Sequence, residues 1–143
     1  MFTAFIFNMN DHFRIIADGE EIDGRFLFVI AANGRYYGGG FNPVPYAKLN
    51  SGKIELMLIN AVSRAKVVKL MKKYREGKHL DVKGLCVKRT VSKMEVYMDK
   101  CMSVQLDGEI FKRKKAVFEI VPKGINFIVP KSVAENLPDV LNV

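Results

Sequence analysis

The sequence is poor in the residues that make chemistry easy to recognise. It has two histidines, His12 and His79, and two cysteines, Cys86 and Cys101. Neither pair has metal-ligand spacing, so a zinc site, a cysteine–histidine nucleophile pair and a disulfide framework are all unsupported. Reduced thiols in a cytoplasmic protein are the default reading. No stretch approaches the ~18 uncharged apolar residues of a membrane span. The apolar start, Met1 to Phe7, has no basic flank or small-residue cleavage site and reads as a strand rather than a signal peptide. Gly38-Gly39-Gly40 is followed by neither the lysine nor the helix of a P-loop, and Gly34-Arg35 opens no dinucleotide fingerprint.

What is present suits one globular domain. At 143 residues, with 49% hydrophobic and 27% charged residues, the chain can bury a core. The +8 net charge is unevenly placed: from Val62 to Met94, eleven basic residues stand against Glu76 and Asp81, a net of +9. A surface so charged attracts anionic lipid or nucleic acid at long range.

Short apolar runs separated by turn residues predict about nine strands. They are Phe2–Phe7, His12–Ala17, Phe26–Ala32, Ile54–Ile59, Asp81–Arg89, Met94–Met98, Met102–Leu106, Lys115–Val121 and Asn126–Val129. One helix is predicted from Ala61 to Arg75, with Val67, Leu70, Met71 and Tyr74 on the packed arc, Val68 at its edge, and Lys69, Lys72 and Lys73 opposite. Gly77 is its expected stop, and Lys131–Asn136 is a candidate second helix. The fold class is mainly β, an antiparallel sandwich or small barrel with one long amphipathic helix, formed by a single domain over residues 1–143.

Two stretches stand out. The run Phe26–Ala32 reads as a strand buried on both faces, and it opens into Asn33-Gly34-Arg35-Tyr36-Tyr37-Gly38-Gly39-Gly40-Phe41. Three glycines there permit positive φ and close approach of another group, or simply a corner. Leu106-Asp107-Gly108-Glu109 places two carboxylates about a glycine at a strand end, where one could reach a substrate hydroxyl. Asp18-Gly19-Glu20 repeats the same three residues in what reads as an ordinary turn.

The order of these pieces carries more than each alone. Gly24 to Gly40, then Pro45 and Ala47, Ser51-Gly52-Lys53-Ile54-Glu55, a basic helix and Leu106-Asp107-Gly108-Glu109 follow one another. Over residues 12 to 130 this resembles the C-terminal β-sandwich domain of bacterial diacylglycerol kinase-like and sphingosine kinase-like lipid kinases, whose superfamily includes the NAD kinases. The resemblance implies the second domain alone, without the N-terminal nucleotide-binding domain and its Gly-Gly-Asp-Gly-Thr loop.

It also implies Glu109 as general base for a lipid hydroxyl, with Asp107 beside it. Asn33 and Gly38, Gly39 and Gly40 would then line the substrate cleft, facing the same groove as Glu109. ATP and Mg²⁺ serve the parent enzyme, in phospholipid metabolism, and no metal or nucleotide is expected on this chain. Related enzymes often read Asp-Gly where this chain has Ser51-Gly52, and serine is a weak ligand for magnesium. The implied partners are the nucleotide-binding domain, a lipid substrate and an anionic membrane met through Lys69, Lys72 and Lys73, for a cytoplasmic protein peripheral to the membrane; nucleic acid is not expected. Two rival readings are an NAD kinase-like domain and a non-catalytic basic module that binds anionic membrane or nucleic acid.

Overall fold

The computed structural model describes residues 11–126, 128 and 130–132. Six antiparallel strands form one sheet: β1 (Asp11–Ala17), β2 (Glu20–Ala32), β3 (Ile54–Asn60), β4 (Cys86–Val91), β5 (Lys93–Leu106) and β6 (Glu109–Glu119), in spatial order β4-β3-β2-β1-β5-β6. The helix α1 spans Arg64–Arg75, and a single 3₁₀ turn follows at Lys78–Asp81.

Sequence chemistry explains the turns. At Asp18-Gly19 and Asp107-Gly108 both central residues have left-handed φ (46° and 93°, 47° and 100°), the type I′ pattern that matches strand twist and favours Asp-Gly. These turns join β1 to β2 and β5 to β6, with Ala17 opposite Glu20 and Leu106 opposite Glu109.

The sheet folds on itself because β2 bends. Its first half pairs with β1 and its second half with β3, and the register slips between Phe26 and Phe28. An extra residue in one strand kinks it and sharpens its twist. The two halves of the sheet therefore share a core: Phe13, Ile15 and Ala17 of β1 and Met94, Val96 and Met98 of β5 pack with Ile54, Leu56 and Leu58 of β3. The described strands thus make one continuous sheet rather than two separate ones.

The strand buried on both faces is β3, not the predicted run Phe26–Ala32. Ile54, Leu56 and Leu58 enter the core between the sheet halves, while Met57 and Ile59 face a second cluster with Val44, Ala47, Tyr74 and Leu85. In β2, by contrast, only Phe26 is buried and Phe28 is 38% exposed, because the strand turns the corner of the sheet.

The helix begins at Arg64, later than predicted, since the Ser63 hydroxyl caps it by accepting the Lys66 N–H. It ends as predicted, with Gly77 at φ 76° just beyond it and the Gly77 N–H donating to the Tyr74 carbonyl. Its contact with the body is narrower than the periodicity suggested. Val67 and Tyr74 are buried and Leu70 is half-buried, but Met71 and Val68 face outward.

Other boundaries also moved. Met94–Met98 and Met102–Leu106 are one strand, β5, whose register against β6 slips between Tyr97 and Met102. The strand expected from Asp81 starts only at Cys86, after the 3₁₀ turn. The expected strand Phe2–Phe7 lies outside the described residues, as does most of Lys131–Asn136. Within the expected Asn126–Val129 strand, the described residues 126 and 128 carry no strand.

Candidate functional site

The glycine loop is a corner, and three left-handed residues make it one. Gly38, Gly39 and Gly40 have φ of 52°, 77° and 98°, and nothing stands within 4 Å of where their Cβ atoms would be. Their left-handed φ is what the turn demands, and no other part of the described chain packs against them. The turn is closed by paired hydrogen bonds between Tyr37 and Phe41, each N–H donating to the other's carbonyl at 3.0 Å.

This loop is fastened to the end of α1. Tyr37 and Tyr74 share a hydroxyl–hydroxyl hydrogen bond of 2.9 Å, and the Phe41 ring lies 6.0 Å from that of Tyr74. Phe28 stacks on the same tyrosine at 6.1 Å, and the tilted His79 ring lies 4.9 Å from it. The Asn42 N–H donates to the Arg75 carbonyl, one of the acceptors left open at the helix end. Burial pushes the Tyr74 and Tyr37 hydroxyls above the usual phenol range. His79 is fully buried, and neither ring nitrogen makes a hydrogen bond of standard geometry among the described residues. Burial holds its imidazole below the usual histidine range, offset only in part by the Pro43 carbonyl and the Asp81 charge.

The two Asp-Gly-Glu turns have the same backbone and different uses. The Asp18 carboxylate accepts the N–H groups of Ser92 (2.9 Å) and Lys93 (2.8 Å), and the Asp18 N–H donates to the Lys93 carbonyl. These bonds hold the carboxyl below its ordinary range, the Ser92 N–H contributing most. The Lys53 ammonium adds a 2.6 Å hydrogen bond to the Ser92 hydroxyl, so the β1–β2 turn is latched to the β4–β5 connection. At the other copy, Asp107 and Glu109 are exposed at the tip of the β5–β6 hairpin, where Glu109 pairs with Leu106 through the backbone, and neither carboxylate makes a hydrogen bond or ion pair among the described residues.

Asn33 and Glu109 lie by opposite ends of β6. Asn33 lines a shallow cleft of about 270 Å³ with Ala31, Ala32, Ile54 and Val117, Phe118 and Glu119 of β6. Glu109 is at the opposite end of that strand; at ~3.3 Å per residue, Glu109 and Glu119 are on the order of 30 Å apart. No hydrogen bond or ion pair among the described residues joins Glu109 or Asp107 to Asn33 or to Gly38–Gly40.

The donors for a nucleotide or magnesium do not fit either group. The glycines run into Phe41-Asn42-Pro43, with no helix N-terminus behind them. The Ser51 hydroxyl is engaged in its own turn, accepting the Lys53 N–H at 3.2 Å and donating to the Lys53 carbonyl at 3.3 Å. Among the described residues no three His, Cys, Asp or Glu side chains gather as metal ligands, and no helix is long and apolar enough to cross a membrane. Lys69, Lys72 and Lys73 are exposed on α1, as predicted.

Sequence reasoning missed Tyr74 as the anchor of the glycine loop, buried His79, and the Asp18 latch. Only the repeated Asp-Gly-Glu hinted at any of them.

The described residues thus form a single curved antiparallel sheet with one helix on its outer face and two exposed carboxylates at a hairpin tip. Residues 4–129 match the family described as the YegS C-terminal NAD kinase beta sandwich-like domain. The chain belongs to this family, the C-terminal domains of diacylglycerol and lipid kinases. It is 23% identical over 122 residues to a diacylglycerol kinase of Bacillus subtilis (strain 168), covering 85% of this chain and 40% of that one. It is 26% identical over 122 residues to a diacylglycerol kinase of Mycobacterium tuberculosis (strain ATCC 25618 / H37Rv), covering 83% and 38%.

The same fold is seen in the crystal structure of a diacylglycerol kinase from Bacillus anthracis str. Sterne. The TM-score is 0.60 at 13% identity, over 84% of this chain and 43% of that one. The chain thus spans about two fifths of the length of the curated relatives it matches.

Proposed function

We propose that this chain is the acceptor-side domain of an ATP-dependent lipid kinase. It would act on a lipid hydroxyl of the diacylglycerol or sphingoid-base class and be inactive alone. The observation that carries the reading is the free pair of carboxylates at the β5–β6 tip. Asp18, in the twin turn, is taken up by the latch, whereas Asp107 and Glu109 are uncommitted and exposed. Family membership adds the reaction class.

ATP and Mg²⁺ belong on the partner nucleotide-binding domain, since the residues here do not fit them. What this chain contributes is acceptor chemistry. The Glu109 carboxylate takes the proton of the lipid hydroxyl as that oxygen becomes the nucleophile, and Asp107 supports it from the same turn. Asn33 and the Gly38–Gly40 loop are assigned to the substrate cleft by the family resemblance alone, since no contact among the described residues joins them to Glu109. The exposed Lys69, Lys72 and Lys73 face an anionic membrane, as suits a cytoplasmic enzyme working peripherally on a lipid.

In the kinase assembled with its nucleotide-binding domain, Glu109→Gln should lower kcat by on the order of 10²-fold or more. Its melting temperature should not change, because the side chain is exposed and unpartnered. An unchanged rate removes Glu109 from its role. ATP-dependent phosphorylation of diacylglycerol by this chain alone would refute its dependence on a partner.

A further inference from the structure

The helix α1 carries more than solvated lysines. In 12 residues it has six basic and no acidic side chains, and only Val67 and Tyr74 are buried. At about 100° per residue, Arg64, Val68, Met71 and Arg75 fall within about 60° of arc, one straight stripe along the flank. Val68 is 62% exposed and Met71 38% exposed in that stripe. Lys72 and Ala65 adjoin it toward the outer pole of the helix.

We infer that this flank is an interfacial element: α1 lies on an anionic bilayer with Val68 and Met71 entering the headgroup region and the flanking cations on the lipid phosphates. Three observations select a bilayer. Two apolar side chains on a convex helix are far short of the ~800 Å² packed patch that a stable protein partner needs. A nucleic acid would use the cations but has no use for exposed valine and methionine beside them. An anionic lipid surface satisfies both, with the long basic side chains reaching to the phosphates while their stems cover apolar surface.

The inference deepens the membrane-facing part of the proposed function and rests on it. It differs in assigning the contact to the Arg64–Val68–Met71–Arg75 flank, so that Lys73, on the other flank, contributes less than Lys72.

The chain has no tryptophan, so Val68→Trp supplies a single fluorescent reporter. Tyr36→Trp, at a 68% exposed position of the glycine loop, is the control. With phosphatidylcholine vesicles containing roughly 30 mol% phosphatidylglycerol, the Val68→Trp emission should shift to the blue and be quenched by acyl-chain bromine, while the control should not respond. In sedimentation with the same vesicles, the double variant Val68→Glu, Met71→Glu should bind on the order of tenfold more weakly. Vesicle binding with no blue shift, or binding that the double variant leaves intact, overturns the insertion and leaves the electrostatic reading standing. No vesicle binding at low salt overturns both.

Discussion

Acidification below 6.5 should weaken this protein, and the buried His79 is the reason. Its imidazole is held below the ordinary value of 6.5 chiefly by burial. The unfolded chain therefore binds a proton there at a pH where the folded chain does not. Stability must rise with pH between the folded pKa of His79 and 6.5, and level off above it. One proton limits the slope to about 1.4 kcal/mol per pH unit.

His12 acts in the opposite sense. Hydrogen-bonded to Asp23 at 2.9 Å and near Asp99 at 3.3 Å, it is held above 6.5, mainly by the Asp23 bond. Its contribution is complete below 6.5 and is lost as pH rises through its folded pKa. The shifted acids Asp18, Glu76 and Glu95 are all held below their ordinary values of 3.8 and 4.5. Their contributions disappear only at still lower pH.

Below 6.5, down to the folded pKa of His79, the slope therefore belongs to His79. Urea unfolding followed by circular dichroism across that range should show the rise in the natural chain. His79→Phe, which keeps a ring on Tyr74 and removes both unpartnered nitrogens, should flatten it while costing little at neutral pH. If the rise persists in His79→Phe, or if the natural chain shows none, the reasoning about this buried group is wrong. Because His79 packs on Tyr74, which holds Tyr37 and Phe41, amide exchange in the glycine loop should quicken over the same acid range.

The remaining predictions concern turns, core and latch. Gly39→Ala should cost ~1–2 kcal/mol from left-handed φ alone, since its Cβ would meet nothing. Gly77→Ala should cost more in the same unfolding assay, because its Cβ would also come within 3.1 Å of Asn42 Nδ2 and 3.3 Å of Pro45 Cβ; equal costs would refute the packing part. Leu58→Ala, at the fully buried centre of β3, should lose about 2–5 kcal/mol in urea unfolding. Asp18→Ala should lower the urea midpoint and weaken the further loss of stability below its ordinary value of 3.8. An unchanged midpoint would show that the latch to Ser92 and Lys93 is not needed. Millimolar Mg²⁺ should leave the melting temperature of the chain unchanged, since the Ser51 hydroxyl is occupied in its own turn.

The sequence alone determined whatever depends on neighbours along the chain. Asp-Gly set both hairpin turns through φ, Gly77 marked the end of the helix, and short apolar runs between turn residues marked β1 and β3. Charge counting located the basic helix, and the ordered motifs were enough to indicate the family. Tertiary structure decided the rest, because it depends on which distant surfaces meet.

Burial on both faces went to β3, since α1 and the loop around Val44 and Ala47 cover its outer side while β2 turns the corner. Val68 and Met71 were left facing outward because the helix touches the body only along Val67, Leu70 and Tyr74. Two turns spelled Asp-Gly-Glu also acquired different chemistry. Asp18 folds back against the N–H groups of Ser92 and Lys93, seventy-four residues or more away in sequence. Asp107 and Glu109 stand at a tip with no such partner, and no local pattern can distinguish the two.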